Sequence, residues 1–141
     1  MKYKVFSVQD ANTLIPVLKP LLVDLAEKKT SMSKMHDALL TMELLDDTNN
    51  DYESEAGQEY LKHASALENL IVSFETDLKK IAEYGCVVRD IDKGVIDFYH
   101  VNGKELIFLN WMHNDEDIQY WYELDSHYRN RLSLSELNNK K

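Results

Sequence analysis

The chain is short of the residues that make bridges, turns and basic surfaces. Among 141 residues there are one cysteine, two prolines, four glycines, and sixteen lysines and arginines against twenty-five acids. A lone thiol, Cys86, cannot close an intramolecular disulfide, which fits a reducing, cytoplasmic setting. The scarcity of glycine and proline leaves long stretches free to be helical. A net charge of −9 repels phosphate backbones and anionic headgroups, so nucleic acid and membrane surfaces are not expected partners. No run approaches the roughly 18 apolar residues of a membrane span, and the opening MKYKVFSVQD lacks the apolar segment of a signal peptide. Neither a phosphate-cradling glycine loop nor a nucleophile elbow occurs. No cofactor and no metal are expected.

What is present is hydrophobic periodicity. Ser7 followed by Asp10 resembles a helix start, with a helix from about Val8. Pro16 and Pro20 lack amide protons and crowd the preceding turn, which predicts a short first helix that kinks or restarts near Pro16. Leu18, Leu21, Leu25, Met32, Met35, Leu39 and Met42 then recur at three- and four-residue steps. Tyr60, Ala64, Leu67, Ile71, Phe74, Leu78 and Ile81 form a second stripe, closed by Lys79, Lys80 and Gly85 at the negative end of the helix. The acidic segment DDTNNDYESE between them is the turn of an antiparallel hairpin. From Met35 to Leu61 there are eight acids and no lysine or arginine.

Beyond Gly85 the period changes to two. VIDFYHV, Asn102-Gly103 and KELIFLNW predict a tight β-hairpin, with CVVRDI and IQYWYEL as flanking strands and a helical turn in the tail. The expected fold is therefore α+β: a long antiparallel helical hairpin with a short N-terminal helix, on an antiparallel meander of three or four strands. A single domain over 1–141 is expected, divided into a helical hairpin (8–84), a meander (86–125) and a C-terminal segment and tail (126–141). Helices of about 28 residues run on the order of 40 Å, more than a small sheet covers. Leu22, Leu40, Leu44, Leu61 and Leu70 would stay wet in a lone hairpin, which predicts a homodimer built as a four-helix bundle.

A turn centred on Asn102-Gly103 sorts the β-hairpin into two faces. Ile96, Phe98, Ile107, Leu109 and Trp111 form the core face, with His100 opposite Glu105. Val95, Asp97, Tyr99, Leu106, Phe108 and Asn110 form the other, with Asp97 opposite a phenylalanine. A carboxylate among apolar side chains needs a partner or a cavity; Arg129 and Arg131 are the expected cations, and Asp97 is either half of a structural ion pair or a ligand-binding or acid/base group. His113, Asp115, Glu116 and Asp117 offer metal-ligand chemistry but lack the spacing of a calcium loop or a zinc enzyme, so a solvated turn is the expected reading. Trp111, Tyr120, Trp121 and Tyr122 are core, or stack on a partner. His36 and His63 fall on polar helix faces.

These residues bear a family resemblance. Phe6, Asp10-Ala11-Asn12 and Leu14-Ile15-Pro16, then Gly94-Val95-Ile96-Asp97-Phe98, Leu109-Asn110-Trp111, Ile118, Tyr120-Trp121, Leu124-Asp125 and Arg131 resemble the small bacterial proteins grouped as domain of unknown function 2203. The family pattern has cysteine where this chain has Asn110, histidine at Tyr122, glycine at His127 and glutamate at Asp115. It retains Asp97, Trp111, Trp121, Asp125 and Arg131, and it implies no particular activity. The expected function is a non-enzymatic, self-associating or protein-interaction module. The alternative is an anionic-ligand-binding or hydrolase-like protein whose pocket draws on Asp97, Asp115, Asp125, Arg131 and the tryptophans, Arg131 holding the anion in bidentate fashion.

Overall fold

The computed structural model describes residues 3–45 and 52–138. Helix α1 spans Val8–Leu45 and α2 Glu55–Glu83. Strands β1 (Val87–Asp90), β2 (Val95–Asn102), β3 (Glu105–Met112), β4 (Tyr120–Glu123) and β5 (Leu132–Ser133) follow, with a 3-10 turn at Tyr128–Asn130 and a last short helix, α3, at Leu134–Asn138. The result is α+β, two long helices with an antiparallel sheet of order β1-β2-β3-β4-β5. Among the described residues five strands form where three or four were expected, because the segment after Tyr128 returns to pair Tyr120 with Ser133 and Trp121 with Leu132. Most of the acidic turn, residues 46–51, and the end of the tail lie outside the described residues.

Helix α1 begins where the Ser7 hydroxyl accepts from the Asp10 amide at 3.0 Å, satisfying a free donor at the helix start. No separate first helix forms: α1 continues through both prolines. Pro16 and Pro20 stand one turn apart on the exposed side of the helix, so the carbonyls they deprive of partners, those of Asn12 and Pro16, belong to a water-facing stripe. Helix α2 ends with the Gly85 amide donating to Ala82 at 2.9 Å, and Gly85 adopts φ 89°, a left-handed conformation that suits glycine.

The chain forms two compact units, one of Met1–Val23 with Lys79–Lys141, the other of Asp24–Leu78. In the first, both sheet faces are apolar near their middle. Ile96, Phe98, Ile107, Leu109, Trp111 and Trp121 are buried on one face; Phe6 packs edge-on to Phe98, and the Asn12 side chain accepts from the Ile118 amide at 2.7 Å. Leu22, expected to stay wet, is buried here. On the opposite face Val95, Phe108, Tyr122 and Tyr128 form a second cluster flanked by Tyr99 and Met112.

In the second unit the helices lie antiparallel, joined by Lys28 with Asp77 and by the Tyr60 hydroxyl donating to Glu43 at 2.5 Å. That bond to a carboxylate raises the Tyr60 pKa. Among its described large apolar side chains only Leu25 and Leu39 are buried. Met32, Met35, Met42, Leu67, Leu70, Ile71, Phe74 and Leu78 are half-buried, and Leu40, Leu44, Leu61 and Val72 are exposed.

The β2-β3 register differs from the expectation. Asn102 pairs with Glu105, Asp97 with Asn110, Tyr99 with Phe108 and His100 with Ile107. The turn is therefore Gly103-Lys104, with Gly103 at φ 63°, and not Asn102-Gly103. Moving the turn by one residue shifts every cross-strand pair by two, which preserves both faces and changes every partner. Asp97 consequently meets an amide instead of a phenylalanine.

Candidate functional site

Burial of Asp97 makes the site. Its side chain is fully enclosed, and a carboxylate in that position must be surrounded by donors. Three converge on it: Asn110 donates to Oδ1 at 2.7 Å, Arg89 Nε to Oδ2 at 2.7 Å, and the Tyr122 hydroxyl to the same Oδ2. The cation is Arg89 from β1, and neither Arg129 nor Arg131. Asn110 and Tyr122 thus both serve this carboxylate.

The network continues through the amide oxygen of Asn110. Arg131 Nη1 donates to it at 3.2 Å and holds Asp115 through both terminal nitrogens, at 2.6 and 3.3 Å. The guanidinium lies over the Tyr120 ring, 3.8 Å from its centre. Asp115 also accepts from the Met112 amide through its side chain and from Trp111 Nε1 through its carbonyl, both at 2.9 Å. A polar chain therefore runs Arg89, Asp97, Asn110, Arg131, Asp115 across one sheet face. No buried side-chain nitrogen or oxygen among the described residues lacks a partner.

Electrostatics follow from this enclosure. Burial, then the bond to Asp97 and its negative charge, raise the Tyr122 pKa well above the usual phenol range, with Arg89 acting in the opposite direction. Tyr122 thereby holds its proton and stays a hydrogen-bond donor to Asp97. Burial pulls the Arg89 pKa down, but its hydrogen bond and ion pair with Asp97 outweigh that and raise it.

Of the candidate residues, Asp97, Tyr122, Asp115, Arg131 and Trp111 are joined by this chain of bonds. Trp121 is buried on the other face, its Nε1 donating to the Ser133 carbonyl at 3.1 Å. Asp125 is exposed and takes no part in the network. His113, Glu116 and Asp117 are exposed, and among the described residues no three histidine, cysteine or acidic side chains gather as a metal site.

Sequence reasoning passed over Arg89. An arginine within VVRD, on the strand beside a buried acid, was the available signal. Alternation could not place it, since the β1-β2 ladder changes register between Val88 and Asp90. Arg89 stacks over the Phe108 ring, 4.7 Å from its centre, and with Phe108, Tyr122, Leu124, Ser126, His127 and Tyr128 it lines a cavity of about 320 Å³.

No curated protein and no solved structure matches the chain. A family described as "Uncharacterized conserved protein (DUF2203)" matches residues 4–134. That span takes in both long helices, all five strands of the sheet and the whole Asp97 network, and the chain belongs to this family.

Proposed function

We propose that the protein is a non-enzymatic, cytoplasmic module that works by self-association through its helical unit. The observation that carries this reading is the half-covered stripe of Asp24–Leu78. Eight large apolar side chains along the two helices are only partly buried there. An amphipathic helix presents an apolar face wider than the seam a single partner covers. A second hairpin completes the cover and gives a four-helix bundle, a common solution for such a pair.

Charge favours one arrangement of the two copies. Between Met35 and Leu61 lie eight acids and no lysine or arginine, so parallel copies would set like charges side by side. Antiparallel copies bring that segment toward Lys28 and Lys29 of the other chain.

The alternative, a pocket organised by Arg131, has less support. Arg131 gives both terminal nitrogens to Asp115, and both oxygens of Asp97 already have donors. Light scattering on the purified protein at tens of micromolar tests the leading reading: twice the 16.5 kDa of one chain is expected, and one chain mass overturns it. Leu40→Lys with Val72→Lys, at positions 44% and 58% exposed, should yield a folded monomer with an unchanged circular dichroism spectrum.

A further inference from the structure

We propose that the cavity beside Arg89 is a binding site for a small organic monoanion, a carboxylate on a flat apolar body. The inference is independent of self-association, since every lining residue belongs to the unit that holds the sheet.

Its anchor is a guanidinium fixed before any ligand arrives. Asp97 engages Nε at 2.7 Å, Phe108 supports the flat face of the group, and the Arg89 side chain is still 37% exposed. The Tyr122 hydroxyl also faces the guanidinium, and an arginine held through Nε still offers its exposed terminal edge to a second carboxylate, with preorganisation lowering the cost of binding. Two further donors stand on the same wall. His127 Nδ1 accepts from the Arg129 amide at 3.1 Å, so the proton of the neutral ring is on Nε2. Ser126 contributes a hydroxyl from an exposed position.

The remaining walls are Phe108, Tyr122, Leu124 and Tyr128; Phe108 carries the guanidinium, and the two tyrosine rings are the aromatic surfaces for a flat ligand. About 320 Å³ is at the lower end for small-molecule sites, which suits a single ring. The charge is limited as well. Asp97 already shares the guanidinium, and Glu123 and Asp125 on either side of Leu124 are exposed acids, so a second negative charge on the ligand meets repulsion.

Benzoate is a suitable probe, with benzamide as the uncharged isostere and inorganic phosphate as the anion without an apolar body. Titration of the ¹⁵N-labelled protein should give saturable shifts confined to Arg89, Phe108, Tyr122 and residues 124–128 with benzoate. Affinity should be at least tenfold weaker for benzamide and for phosphate. Arg89→Met keeps an apolar side chain of similar length at the position and should weaken benzoate at least tenfold. Because that change also frees Asp97, Ser126→Phe provides a second variant that fills the cavity from an exposed position and should abolish the shifts in a chain that melts normally. The proposal is overturned by non-saturable shifts, by benzamide binding as well as benzoate, or by undiminished binding in Ser126→Phe.

Discussion

In the unit that holds the sheet, Val95, Ile96, Phe98, Leu109 and Trp121 are each 0% exposed, whereas in Asp24–Leu78 only Leu25 and Leu39 among the described large apolar side chains are buried. The sequence supplies both regions with regular apolar positions, so the difference is one of geometry. A sheet offers a broad face that a helix and loops can cover, and here both faces are covered near the middle. Two helices meet along a seam and leave their flanks open. Polar groups divide the same way. The sheet carries a chain of five side chains from Arg89 to Asp115 with Asp97 and Asn110 buried at its centre, while the helical unit joins its partners at its rim.

Removing the centre of the enclosed chain should have the largest effect. Asp97→Ala leaves the donors of Asn110, Arg89 and Tyr122 facing nothing. Breaking a buried pair costs about 3–5 kcal/mol; the partial exposure of Arg89 places this one near about 3 kcal/mol, roughly 10 °C in Tm. Asp97→Asn should cost nearly as much, since all three partners are donors and an amide offers one oxygen where the carboxylate offers two. Thermal melts decide this. A loss under about 1 kcal/mol, the worth of one ordinary hydrogen bond, would erase the contrast between the two regions.

An alkaline titration sharpens the contrast from the same side. Burial pushes the Cys86 thiol from 9.0 up to about 11, and its Sγ donates to the Ile81 carbonyl at 3.5 Å. The folded chain then holds this proton more tightly than the unfolded chain. The contribution is complete below pH 9 and is lost as pH rises through about 11, on the order of 2–3 kcal/mol. Tyr122, raised from 10.0, adds to the loss above pH 10. Tm should be level to pH 9 and then fall, and Cys86→Ala should flatten the segment between pH 9 and 10. An unchanged slope in that variant would remove Cys86 from the account.

Much of this division was legible in the residues, though not where polar groups decide. Ser7 with Asp10, the two apolar stripes, Gly85 and the period change beyond it mark the helices and the strands, because each rests on local chemistry. The faces of the β-hairpin were also readable, since alternation survives an even shift of register. Partners were not: a turn at Gly103-Lys104 sets Asp97 against Asn110, and no pattern of apolar residues distinguishes that from Asp97 against Phe108. Arg89 was hidden by the irregularity in β1. Pro16 and Pro20 misled because their cost depends on which side of the helix they occupy, and both stand exposed.

The smallest effect belongs to the polar tie of the helical unit. Lys28 donates to Ser73 at 2.8 Å and pairs with Asp77, with the side chains 26% and 14% exposed. Lys28→Met keeps the stem and removes the charge, and a partly solvated pair of this kind is worth about 1 kcal/mol or less. A loss as large as that of Asp97→Ala would mean that the helical unit also depends on an enclosed polar core. The melt is best run at two protein concentrations. If a second copy covers the half-buried stripe, Tm rises with concentration in both the parent chain and the variant, because association stabilises the folded form by mass action. Lys28→Met also places a flexible apolar side chain beside that stripe, so the variant should show the same or a steeper rise; a Tm independent of concentration in both proteins would leave the hairpin complete as one chain.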